Sequence, residues 1–208
     1  REWLEEVTDK MYLAISRSNF QQEVFETYFD LIAFGTSCLQ IEEDQEDIIR
    51  FSSRHIKELY ISEDSRGMVN CIYRRFKMSA KATVDKFGFD VLSKKTQDTF
   101  KKSQFEDIEL VHVVKPRDMY NPRKQDKKNM PFTSVYFEYE TGHIISEGGF
   151  KEFPYVVPRY LKASNELYGR SPGMNALPDV KVLNKMVEVG MKAAQKQVDP
   201  PLLVPDDS

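Results

Sequence analysis

The sequence predicts an α+β fold: a mixed α/β region over residues 1–164, followed by one long α-helix over 165–198. Three patterns predict it. Apolar residues recur at steps of three and four up to residue 34 and again between residues 172 and 198, the spacing of a helix face. Between those stretches the apolar period falls to two, and Gly, Pro, Asn and Asp punctuate it, as in short strands joined by turns. Two short segments opened by Ser79 and Ser93 interrupt the strands with helical spacing, which favours helices layered on a sheet over a sandwich or barrel.

Taken in order, Trp3, Leu4, Val7, Met11, Leu13 and Ala14, with acids early, predict an amphipathic helix over 1–17. Asn19 is the expected cap of a second helix reaching Phe34, with Gly35 ending it. Phe20, Val24, Tyr28, Leu31 and Ile32 share one face of it and Phe25 and Phe29 widen that face, so this helix is expected to be a core element. Residues 36–41 and 48–52 read as strands around an acidic turn at 42–47. Residues 59–63 and 68–77 read as a hairpin turned at Gly67, and Ser79 and Ser93 cap helices running to Phe87 and Lys102, the first closed by Gly88. Residues 109–114 read as a strand and 115–129 as an exposed, mobile loop. Residues 133–139 and 143–146 form a hairpin, Gly148 and Gly149 a turn, and 153–160 an extended edge segment that tolerates Pro154 and Pro158.

Length and composition bound the function. A chain of 208 residues with 40% apolar content buries the core of one or two domains. Thirty basic residues against thirty-three acidic ones leave a net charge of −3, so attraction to nucleic acid must be local. Cys38 and Cys71 lie in apolar strand-like contexts and are expected as reduced, buried thiols, in keeping with synthesis in a cytosol. No run approaches eighteen apolar residues and the N-terminus carries no signal-peptide pattern, so no membrane partner is expected.

The final helix dominates the chain. Ser171 caps it, Pro172 suits its first position, and Pro178 predicts a lead-in turn or kink. At 1.5 Å per residue it spans roughly 40 Å. Stepping 100° per residue from Lys181 brings Lys185, Lys192 and Lys196 within about 60° of it, one basic stripe. Leu183, Val187, Gly190, Met191 and Ala194 fall opposite, with Val180 and Val198 beside them, and the small residues allow another helix close approach. Glu188 and Asp179 are candidate partners for the lysines. Asp199, Pro200 and Pro201 end the helix, and 202–204 would start another extended segment, as in a piece of a longer protein.

Residues 167–186, LYGRSPGMNALPDVKVLNKM, resemble the signature segment of the head-to-tail connecting, or portal, proteins of short-tailed phages and their prophages. In that family an arginine strand, a YGRSP-like turn and an ALPDVKVLN-like helix follow one another, matched here at 156–160, 168–172 and 176–184. The likeness extends back through FETYFDLIAFGTSCLQIEED at 25–44. The resemblance implies a wing-like domain at 1–164, a stem-like helix at 165–198 lining a channel, and the start of a clip-like segment at 199–208. It also implies a structural role at a capsid vertex of the virion, in a homo-oligomeric ring of twelve subunits that passes double-stranded DNA during packaging and ejection. Terminase, capsid and scaffolding proteins and a tail adaptor would be its partners, and ATP hydrolysis would belong to a separate motor. No GxxxxGK[ST] pattern occurs and no cofactor is expected. Lys181, Lys185, Lys192 and Lys196 are then candidate channel residues, and Leu183, Val187, Gly190, Met191 and Ala194 a candidate subunit seam.

Other readings rest on fewer residues. Glu42, Glu43, Asp44, Glu46 and Asp47 are the candidate carboxylates for a metal-dependent phage nuclease, but a divalent ion needs them converging, and a solvated hairpin tip explains them as well. A neck or tail adaptor shares the phage setting without the channel. His112 alternates among valines as a packed strand residue, with His55 and His143 far away in sequence. The loop at 115–129 holds six basic residues against two acids and includes Tyr120, a candidate for backbone contact with nucleic acid.

Overall fold

Among the described residues, 2–44, 46–124 and 126–200, the computed structural model contains five α-helices and two antiparallel sheets. Helices α1 (Glu2–Arg17) and α2 (Phe20–Phe34) lead into a hairpin of β1 (Leu39–Asp44) and β2 (Ile48–Ser53). A larger sheet follows, made of β3 (Leu59–Glu63), β4 (Val69–Ser79), β5 (Asp107–Pro116), β6 (Phe132–Glu138) and β7 (Ile144–Phe150). Each strand pairs with the next in sequence, an up-and-down meander. Helices α3 (Ala80–Phe87) and α4 (Lys94–Lys102) are inserted between β4 and β5. The short β8 (Tyr155–Val156) returns to the free edge of β1, and α5 (Pro172–Val198) follows.

Register divides the covered face of the large sheet into three rows. Ile72 lies opposite Val114, and with Leu59, Ile61, Cys38 and Tyr155 they form one apolar cluster that joins the two sheets. Phe76 lies opposite Leu110, and these pack with Leu92, Ile145, Val84 and Phe87 as a second cluster beneath the inserted helices. Between the clusters, Arg74, His112 and Tyr136 face one another across three strands. His112 is 1% exposed, stacks on Tyr136 with ring centroids 3.9 Å apart, and meets Ser134 Oγ at 2.9 Å and the Tyr155 hydroxyl at 3.0 Å. Burial, with the cations of Lys86, Arg74 and Arg54 nearby, pushes its pKa down to about 3. A neutral imidazole offers one donor and one acceptor, which these two hydroxyls complement.

The caps read from the sequence are in place: Ser79, Ser93 and Ser171 each accept the amide three residues on, and Gly35 ends α2 with φ +77°. Cys38 and Cys71 are free and buried. Helix α5 is uninterrupted through Pro178, so no separate lead-in turn forms.

Several expectations need correction. Asn19 forms no side-chain cap; its Nδ2 donates to Phe51 O at 2.8 Å and its Oδ1 accepts from Phe51 N at 2.9 Å, continuing the edge of β2. The acidic stretch at 42–47 is half strand, since β1 runs to Asp44, while Thr36 joins only an isolated bridge to Arg159. Gly148 and Gly149 lie inside β7, where a Cβ on Gly149 would fall within 3 Å of Phe132 O and Lys127 O. Of the extended segment at 153–160, Tyr155 and Val156 form the paired strand. The aromatic helix α2 is not a core element: Thr27 is its one buried residue, and Phe25, Tyr28, Phe29 and Ile32 face outward. The expected extended segment at 202–204 lies outside the described residues.

Candidate functional site

Helix α5 is spliced to the body by backbone contacts at its root. Gly35 O accepts from Tyr160 N at 2.9 Å, and Thr36 Oγ1 accepts from Gly169 N at 2.7 Å. Ser171 Oγ donates to Ala33 O at 2.8 Å and accepts from Met174 N at 2.9 Å, so it ties the end of α2 to the start of α5. Thr36 and Ser171 are wholly buried. A Cβ on Gly169 would come within 3 Å of Gly35 O, and one on Gly35 would strike the backbone of Gly169 and Ser171. Only paired glycines permit this approach.

Tyr168, with Arg159 and Lys162 from the preceding segment, also anchors the joint. The Tyr168 hydroxyl donates to Leu59 O at 3.3 Å and accepts from Ile61 N at 3.4 Å, on β3. Arg159 donates to Gly67 O at 3.1 Å and pairs with Glu63, which also holds Lys162 at 2.6 Å. Arg170 pairs with Glu166. The segment that most characterises the sequence is therefore a mechanical joint.

Beyond the joint, α5 has no buried residue. Lys185 and Lys192 both reach Glu188, at 2.9 and 2.5 Å, and the Lys192 and Lys185 hydrogen bonds hold its carboxyl below the usual carboxylate range. Lys181 and Lys196 have no ion-pair partner among the described residues. The predicted stripe is thus a row of lysines with one acid set into it. Leu183, Val187 and Met191 are exposed on one side of it, Gly190 faces open space, and Ala194 is exposed. A second apolar flank, Val182, Met186 and Val189, is exposed on the other side and lines a shallow depression of about 510 Å³ with Lys185 and Gly190. Sequence reasoning passed over this flank, although its three-and-four spacing was there to be read.

The remaining candidates are distributed differently. Asp44 Oδ1 accepts the Glu46 amide at 2.7 Å and the Asp47 amide at 3.4 Å, and its other oxygen meets Arg50 at 3.5 Å; it shapes the hairpin tip. Among the described residues no three His, Cys, Asp or Glu side chains converge to hold a metal. In the basic loop, Arg117 folds back to Thr133 Oγ1 at 3.0 Å and, like Lys128, lies 3.5 Å from Glu147.

A family model described as bacteriophage head to tail connecting protein matches residues 1–208. The chain belongs to that family. The portal protein of Salmonella phage epsilon15 is 32% identical to this connecting-protein chain over 207 residues, covering 98% of the chain and 37% of the phage protein. The probable portal protein of Bordetella phage BPP-1 is 32% identical over 206 residues, with the same 98% and 37% coverage. The connecting-protein chain therefore spans 37% of the length of the curated relatives it matches. No helix among its described residues is long and apolar enough to cross a membrane.

Proposed function

We propose that this chain is the wing-and-stem part of a phage portal subunit, which assembles as a ring at one capsid vertex of the virion and passes double-stranded DNA. One observation carries the reading: a 27-residue helix without a single buried residue, with apolar flanks on both sides of a lysine stripe. A helix apolar over so wide an arc needs covering. Two unlike flanks call for two neighbours, and head-to-tail contacts of that kind close into a ring. The stripe left between them faces the lumen, where Lys181, Lys185, Lys192 and Lys196 meet phosphates weakly and without sequence preference. Glu188, engaging two of the four lysines and offsetting one of their charges, suits a channel whose cargo must keep moving.

The role is structural, with no catalytic step assigned to this chain. The ring has about twelve subunits by analogy with the family, and it docks terminase, capsid and scaffolding proteins and a tail adaptor. Negative-stain microscopy and solution mass of the full-length protein test the reading. Rings with a central hole are expected, and a uniform monomer or dimer overturns it. Gly190→Leu sharpens the test, because a Cβ there meets nothing within 4 Å in the subunit and the added side chain projects toward a neighbour. The variant should fold normally and form few rings.

A further inference from the structure

The first two helices carry a surface that nothing within the subunit covers. Stepping 100° per residue from Phe20 sends Val24, Thr27 and Leu31 to one side of α2 and Tyr28, Ile32, Phe25 and Phe29 to an arc about 80–180° away. These last four are 56% to 71% exposed. At 150–250 Å² per aromatic side chain, the three rings alone present roughly 400 Å², comparable with the largest apolar patches of ordinary monomers. A groove of about 450 Å³ runs beside Phe25, Phe29 and His55, lined by Glu26 and Asp30. Neither carboxylate has an ion-pair partner among the described residues.

Charge selects the occupant. Residues 2–34 hold seven carboxylates against Lys10 and Arg17, a net −5. Helix α5 holds four lysines against Asp179 and Glu188, a net +2. Lys181 is likewise without an ion-pair partner among the described residues, and exposed Leu177 and Val182 flank it. Helix α1, the other exposed apolar helix, carries Glu2, Glu5, Glu6 and Asp9 and would be repelled by the same groove. The α2 and α5 surfaces also meet at the root, where Gly173 packs beneath the carbonyls of Ile32 and Ala33. Each subunit thus presents an acidic aromatic surface continuous with a basic aliphatic one. Two unlike surfaces are what a head-to-tail contact requires.

Building on the ring reading, we infer that the α2 groove of one subunit receives the α5 helix of the next, with an aliphatic flank on Phe25 and Phe29 and Lys181 beside Glu26 and Asp30. The rings supply about half of the ~800 Å² per partner that a stable interface buries, and packing between adjacent stems adds the remainder. In this arrangement Lys181 leaves the channel set proposed above for a neighbour's carboxylates, and Lys185, Lys192 and Lys196 stay on the lumen side of the stripe.

The test uses the full-length protein at low salt. Glu26→Lys with Asp30→Lys should lower the ring population at fixed concentration at least tenfold, and adding Lys181→Glu should restore it. A cysteine pair, Phe29→Cys with Val182→Cys, should give a subunit ladder on non-reducing gels of assembled rings; Cys38 and Cys71 are buried and do not compete. Rings that form undiminished in the charge-reversed variant, or assembled rings whose cysteine pair gives no ladder, overturn this contact while leaving the ring itself standing. A wild-type protein that forms no rings removes the portal reading and this contact together.

Discussion

Two glycines in the last forty residues should respond to the same substitution with opposite signs. At Gly169 the nearest atoms to an added Cβ are Gly35 O, within 3 Å, Arg159 Cβ at 3.0 Å and Tyr160 N at 3.1 Å. Two of these are backbone atoms hydrogen-bonded to each other at 2.9 Å, so no side chain can swing aside. Relief means parting the two chains, at a cost of about 1–3 kcal/mol for overpacking and about 1 kcal/mol for each hydrogen bond weakened. Gly169→Ala is therefore expected to cost about 3 kcal/mol. At Gly190 an added Cβ meets nothing within 4 Å and the backbone is mid-helix, so Gly190→Ala should gain about 0.8–1.0 kcal/mol. Urea unfolding of the unassembled protein, followed by circular dichroism, reads both. A Gly169→Ala variant within about 0.5 kcal/mol of wild type would show that α2 and the YGRSP stretch do not touch as described.

His112 makes a pH prediction. Its folded pKa is about 3 against 6.5 for the free side chain, so between those values protons favour the unfolded chain, and stability is full above pH 6.5 and falls as pH drops. From pH 6.5 to 5 the slope should rise toward about 1.4 kcal/mol per pH unit, a loss of about 1.6 kcal/mol in all, and His112→Gln should flatten that slope; an unchanged slope in the variant removes His112 as its source. Asn19→Ala should cost about 1–2 kcal/mol by leaving both backbone groups of Phe51 without their side-chain partner, and hydrogen exchange at the Phe51 amide should quicken selectively.

Local chemistry was legible where one residue suffices. A serine three residues ahead of a free amide, a glycine after the last apolar position and a proline at the first helical turn each carry their meaning within a few residues, and α5 was bounded by such signals at both ends. The failures share a different cause. Asn19 looks like a cap until Phe51, thirty-two residues on, offers it a better pair of partners. Gly149 looks like a turn until Phe132 and Lys127 are seen to press on the place its side chain would take. Periodicity grouped Tyr28 and Ile32 with Phe20, Val24 and Leu31, yet they stand exposed beside Phe25 and Phe29, and periodicity says nothing about whether another element arrives to cover a face. At the site, the lysine stripe and its acid Glu188 were readable from spacing, while the exposure of both flanks of α5 depends on where the body stops.

The joint at Gly35 and Gly169 also sets a tolerance. Helix α5 is a lever arm about 40 Å long, and an angular error of 10° at its base would carry its far end about 7 Å sideways, more than a full helical turn. Side chains at a hinge can settle into several rotamers and aim the arm in as many directions. Two backbones pressed together have no such freedom, so every copy of the chain points its arm along the same line, and the geometry of any assembly built from these arms is decided at the pivot.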